Sequence, residues 1–276
     1  FAGLTAGSSV LISQFYGAHR KEELSKSIHT SMALSFWAGI FMAAAGALLT
    51  PAAMRIIGTP ADIFADSVTY LRIYFIGILP MFVYNMGAAV LRALGDSRSP
   101  FYTLVAGCGA NIALDLLCVA VLKLGIAGAA WATVFSQTLC MIIILLVMMK
   151  QKDEYCRFII RQMKFEKSIL RRMIKLGLPD GVQSSLYTIS NLIIQADINA
   201  FGTITIAAWA AYGRIDSIFW MTISSFGIAI TTYAGQNYGA CRYDRMDKAT
   251  KQGLLMMGGT AVAYTILFWF TGNYIL

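Results

Sequence analysis

Charge is scarce in this sequence. Asp, Glu, Lys and Arg make up 13% of its 276 residues, where a soluble domain carries about 25%. That shortage excludes a water-exposed globular domain. The five cysteines, at 108, 118, 140, 156 and 241, form no CxxC pair and no metal-ligand spacing, which argues against a zinc site and a disulfide framework. There are two histidines; His19 and His29 flank one basic loop, are read as solvated, and make a poor metal site. No P-loop, GxSxG or HExxH sequence occurs, so nothing supports ATP hydrolysis or protease chemistry. A charged leader is missing too: the chain opens as "FAGLTAGSSVLI", inside an apolar stretch and without a secretory signal. The expectation is that the natural N-terminus precedes residue 1.

What remains is apolar. Hydrophobic residues are 58% of the chain and the mean hydropathy is +0.64. Several runs are long enough to cross a hydrocarbon core of roughly 30 Å, which takes about 20 residues. The spans are read as 1–17 (truncated), 29–49, 67–91, 101–122, 126–149, 176–200, 204–237 and 251–273. The fold class is therefore an all-α polytopic membrane protein. Pro100 and Pro179 are placed at helix starts, and Pro80, inside its span, is expected to kink it.

The basic residues sit between spans. Loops 18–28, 92–100, 150–175 and 240–251 carry 3, 2, 9 and 4 Lys/Arg respectively, out of 22 in all. By the positive-inside rule these four loops are cytoplasmic, and the net charge of +8 reports orientation rather than a nucleic-acid partner. The alternation is consistent at every turn.

One stretch occurs twice. "SQFYGAHRKEELSKS" (13–27) is echoed by "GQNYGACRYDRMDKA" (235–249). Gln14, Tyr16, Gly17, Ala18, Arg20 and Lys26 recur, at a constant offset of 222, as Gln236, Tyr238, Gly239, Ala240, Arg242 and Lys248. An even number of spans separates the copies, so both end a helix at the cytoplasmic face. That is a parallel repeat about an axis along the membrane normal, and it predicts two six-helix bundles. Seven complete spans and one truncated span of an expected twelve are then visible. The division is 1–150 as N-terminal lobe (truncated second helix to sixth helix), 151–175 as a basic cytoplasmic linker, and 176–276 as C-terminal lobe (seventh to ninth helices, truncated). Partner helices are expected before residue 1 and after residue 276.

An ionisable residue deep in a span is a functional hypothesis by default. Asp115 is the clearest, in "GANIALDLLCVAV", with Asn111 one turn earlier on the same face. The chain returns through "LKLG", and Thr133 and Gln137 follow. Asp115 and Thr133 are each nine residues from Leu124, while Asn111 and Gln137 are each thirteen. An antiparallel pair would hold the carboxylate and hydroxyl at one depth, about 13 Å below the outer turn. Carboxylate, amide and hydroxyl oxygens suit a proton or Na⁺; a structural hydrogen-bond hub is the alternative. In span 176–200, Gln183, Tyr187, Asn191, Gln195 and Asn199 form a polar stripe at every fourth position. A substrate-facing wall and interhelical hydrogen bonding both fit it. Arg214 and Asp216 are read as structural.

The doubled helix end, "LRALGDSRSP" (91–100), "GIAGAAWAT" (125–133), "GLPDGVQ" (177–183) and "NAFGTITIAAWAA" (199–211) together resemble the multidrug and toxic compound extrusion (MATE) family, in particular its bacterial DNA-damage-inducible-type branch. The resemblance runs in order through essentially the whole chain. It implies twelve helices in two lobes around a cleft, and export of cationic or amphiphilic compounds by alternating access, driven by H⁺ or Na⁺. In that branch it assigns Asn111, Asp115 and Thr133 to the cation-coupling site, with Na⁺ as a candidate ligand of all three. Gln137, Gln183, Tyr187, Asn191 and Gln195 are candidate substrate-cavity residues. The family site also uses an acid on the first helix, outside this chain. A second branch carries a coupling acid on the seventh helix, where Tyr187 stands here.

The resulting expectations are a secondary antiporter, not an enzyme, without a cofactor beyond its coupling ion. It would be monomeric, in contact with membrane lipids, in a bacterial inner (plasma) membrane. The alternative is a lipid-linked oligosaccharide or lipid flippase of the same superfold. That reading wants a strongly cationic cleft, and the spans offer mainly Arg214 and Arg72. A membrane-embedded enzyme would need nucleophiles or metal ligands at one depth, which only the Asp115 cluster approaches, without His or Cys.

Overall fold

The computed structural model describes residues 1–275, with side chains described at 1–203 and 205–270. Among the described residues there is no strand. The helices are α1 (Ala2–Gly17), α2 (Lys21–Ile56), α3 (Ala61–Ile76), α4 (Ile78–Ala93), α5 (Arg98–Asp115), α6 (Gly125–Met149), α7 (Lys167–Asn199), α8 (Thr203–Gly239) and α9 (Tyr243–Ile275). Lipid offers the backbone no hydrogen-bond partner, so each segment closes its own ladder.

Six stretches among the described residues are long and apolar enough to cross a membrane: Lys21–Ile56, Ala61–Ala93, Arg98–Val121, Gly125–Met149, Thr205–Gly239 and Tyr243–Phe270. This corrects the expected seven complete spans and one truncated span. With 16 residues, α1 is about 24 Å long, short of a roughly 30 Å core. α7 has the length but not the hydropathy, because it starts on basic residues and then carries the stripe from Gln183 to Asn199.

The prolines act differently from the sequence reading. Pro179 lies inside α7, not at a start, because the helix already begins at Lys167 in the basic segment. Instead of a kink at Pro80, the break falls just before it, at Gly77. Pro80 has no N–H to donate to the Ile76 carbonyl, and the ladder resumes with Met81 N–H donating to Gly77 O at 3.1 Å. Pro80 thus occupies the first turn of α4, where its missing donor costs little.

The turn in "LRALGDSRSP" shows what those residues do. Gly95 takes a left-handed φ of 95°, and its N–H donates to Arg92 O while Asp96 N–H donates to Leu91 O, both at 2.9 Å. These bonds close the end of α4. Asp96 Oδ1 then accepts from the N–H groups of Arg98 (3.1 Å) and Ser99 (3.0 Å), two of the donors a helix start leaves open. Asp96→Ala is expected to cost about 1 kcal/mol, read as a lower melting temperature in detergent. Asp96→Asn should retain most of that stability.

Contacts divide the chain into two compact units: Phe1 with Lys21–Ile174, and Ala2–Arg20 with the chain from Lys175 onward. They differ from lobes drawn by the repeat because α1 packs along α8. In the first unit α4 packs between α2 and α6 and buries Phe82, Val83, Met86, Val90 and Leu91. Gly87 lets α6 come close: a Cβ there would sit 3.1 Å from both Ile144 and Met148.

The first unit also holds down the segment after α6. Phe158 is buried, and its N–H donates to Met148 O at 3.1 Å. His29 is not a solvated loop residue, as its neighbours suggested, but lies inside α2 and is 4% exposed. Its Nδ1 donates to Ser25 O (2.7 Å) and its Nε2 accepts from Ile159 N–H (3.1 Å). A carbonyl can only accept and an amide N–H only donate, so these partners fix the neutral Nδ1–H tautomer. Thr30 Oγ1 donates to Lys164 O and accepts from Glu166 N–H, both at 3.3 Å. Burial, with Asp153 nearby, pushes the Cys156 thiol up to about 11, so it stays protonated and packs as a small apolar group.

In the second unit the doubled sequence becomes a doubled structure. His19 and Cys241, equivalent in the repeat, both take left-handed φ, 54° and 56°. Arg20 N–H donates to Phe15 O (3.0 Å) and His19 N–H to Tyr16 O (3.2 Å); Arg242 N–H donates to Asn237 O (2.8 Å) and Cys241 N–H to Tyr238 O (3.0 Å). One capping pattern therefore ends both α1 and α8. The two ends also meet. A Cβ on Gly17 would overlap the backbone carbonyl of Gln236, and one on Gly239 would overlap that of Gln14. Gly235 stands against Ser13, its own equivalent in the first copy. Each copy of the motif is the socket for the other.

Candidate functional site

Asp115 is the last residue of α5, and Leu116–Val121 continue it as a π-helix. Leu122 N–H donates five residues back, to Leu117 O at 2.8 Å. Such widened turns are rare and concentrate at functional sites. The sequence gives no warning of it, because "LLCVAV" has neither Gly nor Pro.

α5 and α6 pack against each other, and two close contacts set their register. Gly107 faces Cys140, and Cys118 lies against Gly128 near the outer turn. Counting between those contacts puts Asp115, eight residues past Gly107, opposite residue 132, next to Thr133. Asn111, four past Gly107, falls opposite Ser136, next to Gln137. The count from these contacts falls one residue short of the pairing expected from the distances to Leu124. All four polar residues are half-buried.

No hydrogen bond joins Asn111, Asp115 and Thr133 to one another among the described residues. Asp115 Oδ1 is buried and has no hydrogen-bond partner among the described residues, an expensive condition for a carboxylate. Thr133 Oγ1 donates to Ala129 O at 3.1 Å. Its proton is therefore occupied and its lone pairs can serve an incoming cation or a protonated carboxyl. Ser136, buried, donates to Thr133 O at 2.9 Å and adds a hydroxyl at the level of Asn111. Sequence reading missed it because a lone serine in a helix ordinarily bonds its own backbone. No cluster of three or more His, Cys, Asp or Glu that could hold a metal ion occurs among the described residues. The donor set here is one carboxylate with neutral oxygens, suited to a proton or a monovalent cation.

The α7 stripe belongs to the second unit. Gln183, Tyr187, Asn191 and Asn199 are exposed and Gln195 is half-buried. Gln195 Nε2 donates to Asn199 Oδ1 at 2.9 Å, and the Tyr187 ring meets Trp220 of α8 edge-on at 6.1 Å. Asp216 accepts from Tyr212 OH at 3.3 Å, in keeping with a structural role.

Long apolar helices, a doubled helix end and one unpartnered carboxylate inside a span define an internally repeated, polytopic helical membrane protein. A MatE family model matches residues 1–117 and 179–276, and the chain belongs to the MatE family. Asn111 and Asp115 lie within the matched residues; Thr133 lies between the two matched blocks. The chain is 32% identical to the "Probable multidrug resistance protein YoeA" of Bacillus subtilis (strain 168), covering 96% of this chain and 59% of that one. It is 31% identical to the "Probable multidrug resistance protein YpnP" of the same organism, covering 99% and 61%. A solved structure described as the "Outward-facing conformation of a multidrug resistance MATE family transporter of the MOP superfamily" superposes with a TM-score of 0.91. At 23% identity, over 99% of this chain and 61% of that one, it shows the shared fold. The chain spans about three-fifths of the length of these curated relatives.

Proposed function

We propose that the full-length protein is a secondary active multidrug efflux antiporter. It exports cationic or amphiphilic compounds in exchange for H⁺ or Na⁺ by alternating access, from a bacterial plasma membrane, with loops 18–28, 92–100, 150–175 and 240–251 on the cytoplasmic side. Asp115, Asn111 and Thr133 couple the ion. Gln137 and the α7 residues Gln183, Tyr187, Asn191 and Gln195 face the substrate cavity.

The observation that supports this reading is the buried Asp115 Oδ1, which has no hydrogen-bond partner among the described residues. An unpartnered carboxylate oxygen can take up a proton or a cation. Loading changes the local charge by one unit, and that difference biases one arrangement of the helices over another. The flippase alternative has less support, because it wants a strongly cationic cleft and the spans of this chain offer mainly Arg214 and Arg72.

The test is the full-length protein in proteoliposomes, with a fluorescent organic cation followed under an imposed H⁺ or Na⁺ gradient. Dye movement dependent on one gradient names the ion. No movement under either gradient overturns the antiporter reading.

A further inference from the structure

The segment after α6 carries a dense, exposed positive charge. Nine Lys/Arg stand against three acids in residues 150–175, and all nine are exposed. None of the nine makes an ion pair among the described residues. Two large apolar side chains stand among them: Ile160 is 57% exposed beside Arg161, and Phe165 is 47% exposed beside Lys164.

Orientation during insertion requires charge alone and would be served by a loose loop. This segment is not loose. Ile159 is tied to His29, Lys164 and Glu166 to Thr30, and Phe158 to the last turn of α6. The fastening holds exposed cations at the end of two apolar spans, the level of the lipid headgroups. There each basic residue gains about 1 kcal/mol from an anionic surface, or roughly fivefold in affinity. Exposed Ile and Phe amid the charges would enter the boundary between headgroups and acyl chains.

We propose that Arg157, Arg161, Lys164 and Lys167, with Ile160 and Phe165, form a docking surface for anionic phospholipid of the bilayer in which the protein sits. The proposal does not depend on the coupling ion. The test is native mass spectrometry of the full-length protein in neutral detergent, titrated with phosphatidylglycerol, phosphatidylcholine or glycerol 3-phosphate. Phosphatidylglycerol is expected to bind at least about tenfold tighter than phosphatidylcholine. Replacing all four cations (Arg157→Gln, Arg161→Gln, Lys164→Gln, Lys167→Gln) should remove most of that preference. An unchanged preference in this variant overturns the proposal. So does glycerol 3-phosphate binding as tightly as the lipid, which would mark a free-phosphate site, or displacement of the lipid by equimolar polyglutamate, which would mark an acidic protein partner. Should the fourfold variant fail to fold, Ile160→Ser with Phe165→Ser keeps every charge. That pair should weaken long-chain phosphatidylglycerol about tenfold through lost apolar burial while preserving headgroup choice; undiminished affinity overturns the proposal equally.

Discussion

Asp115→Asn is expected to abolish gradient-driven efflux while leaving the protein folded and at least as stable as the wild type. One-for-one exchange of a monovalent ion for a monovalent organic cation moves no net charge, so the ion's concentration ratio drives it. A tenfold ion gradient, about 1.4 kcal/mol, sustains about a tenfold substrate gradient. Without a titratable or cation-binding carboxylate that coupling is gone, and dye accumulation in proteoliposomes should fall to the passive ratio of about one. Stability moves the other way. A carboxylate acting as a structural hub would lose its bonds on conversion to an amide, and the melting temperature would drop. Asp115 Oδ1 has no bond to lose among the described residues, and leaving a buried polar group unsatisfied costs about 1–3 kcal/mol, more for a charge. Efflux lost with an unchanged or raised melting temperature separates coupling from scaffolding. Wild-type accumulation by the mutant would remove Asp115 from the coupling site. Thr133→Val gives the weaker version: it deletes one neutral oxygen and should lower apparent ion affinity without abolishing exchange.

Much of the fold was legible because lipid makes it so. With water excluded, runs of apolar residues can only be helices, and the scarce basic residues mark their ends. The Asp115–Thr133 level counted from Leu124 assumed two regular helices joined by a short turn, and the π-helix at Leu116–Val121 lies within that count. Where the backbone departs from regularity, the reading lost its grip. The π-helix after Asp115 has no Gly or Pro to announce it. Gly77, not Pro80, shows the break, since the proline acts on the carbonyl four residues before itself. His29 was misjudged because the partner that buries it, Ile159, lies 130 residues further on. The start of α7 was hidden in a basic run that reads as a solvated linker yet is compatible with helix, Lys and Arg being good helix formers. The doubled helix end was visible as a pattern, but the contact between its two copies was not.

That contact carries the second large effect. Gly17→Ala and Gly239→Ala are each expected to destabilise the protein by about 2–3 kcal/mol, although Ala is the better helix former by about 1 kcal/mol. At both positions the obstacle is backbone, the carbonyls of Gln236 and Gln14. No rotamer change relieves it, so α1 and α8 must separate. Gly109 and Gly213 supply the contrast. They also lie in apolar helices, but nothing stands within 4 Å of a Cβ there, so Ala at either site should be neutral or stabilising by up to about 1 kcal/mol. The double variant distinguishes a single crossing from two unrelated contacts. Once one methyl has pushed the helices apart, the second meets less resistance, and Gly17→Ala with Gly239→Ala should cost clearly less than the two losses added. Residues that share one contact are coupled in this way, commonly by 0.5–3 kcal/mol, while distant sites are additive. Thermal or denaturant unfolding in detergent, run as a four-member cycle, gives the number directly. Additive losses would mean that the copies act separately; no loss at either glycine would mean that the helix ends do not meet as closely as the reciprocal sockets require. Transport should follow stability here: helices held apart at the doubled motif lose the contact by which the two repeats grip each other, and efflux should fall in both single variants by a similar factor because the sockets are equivalent.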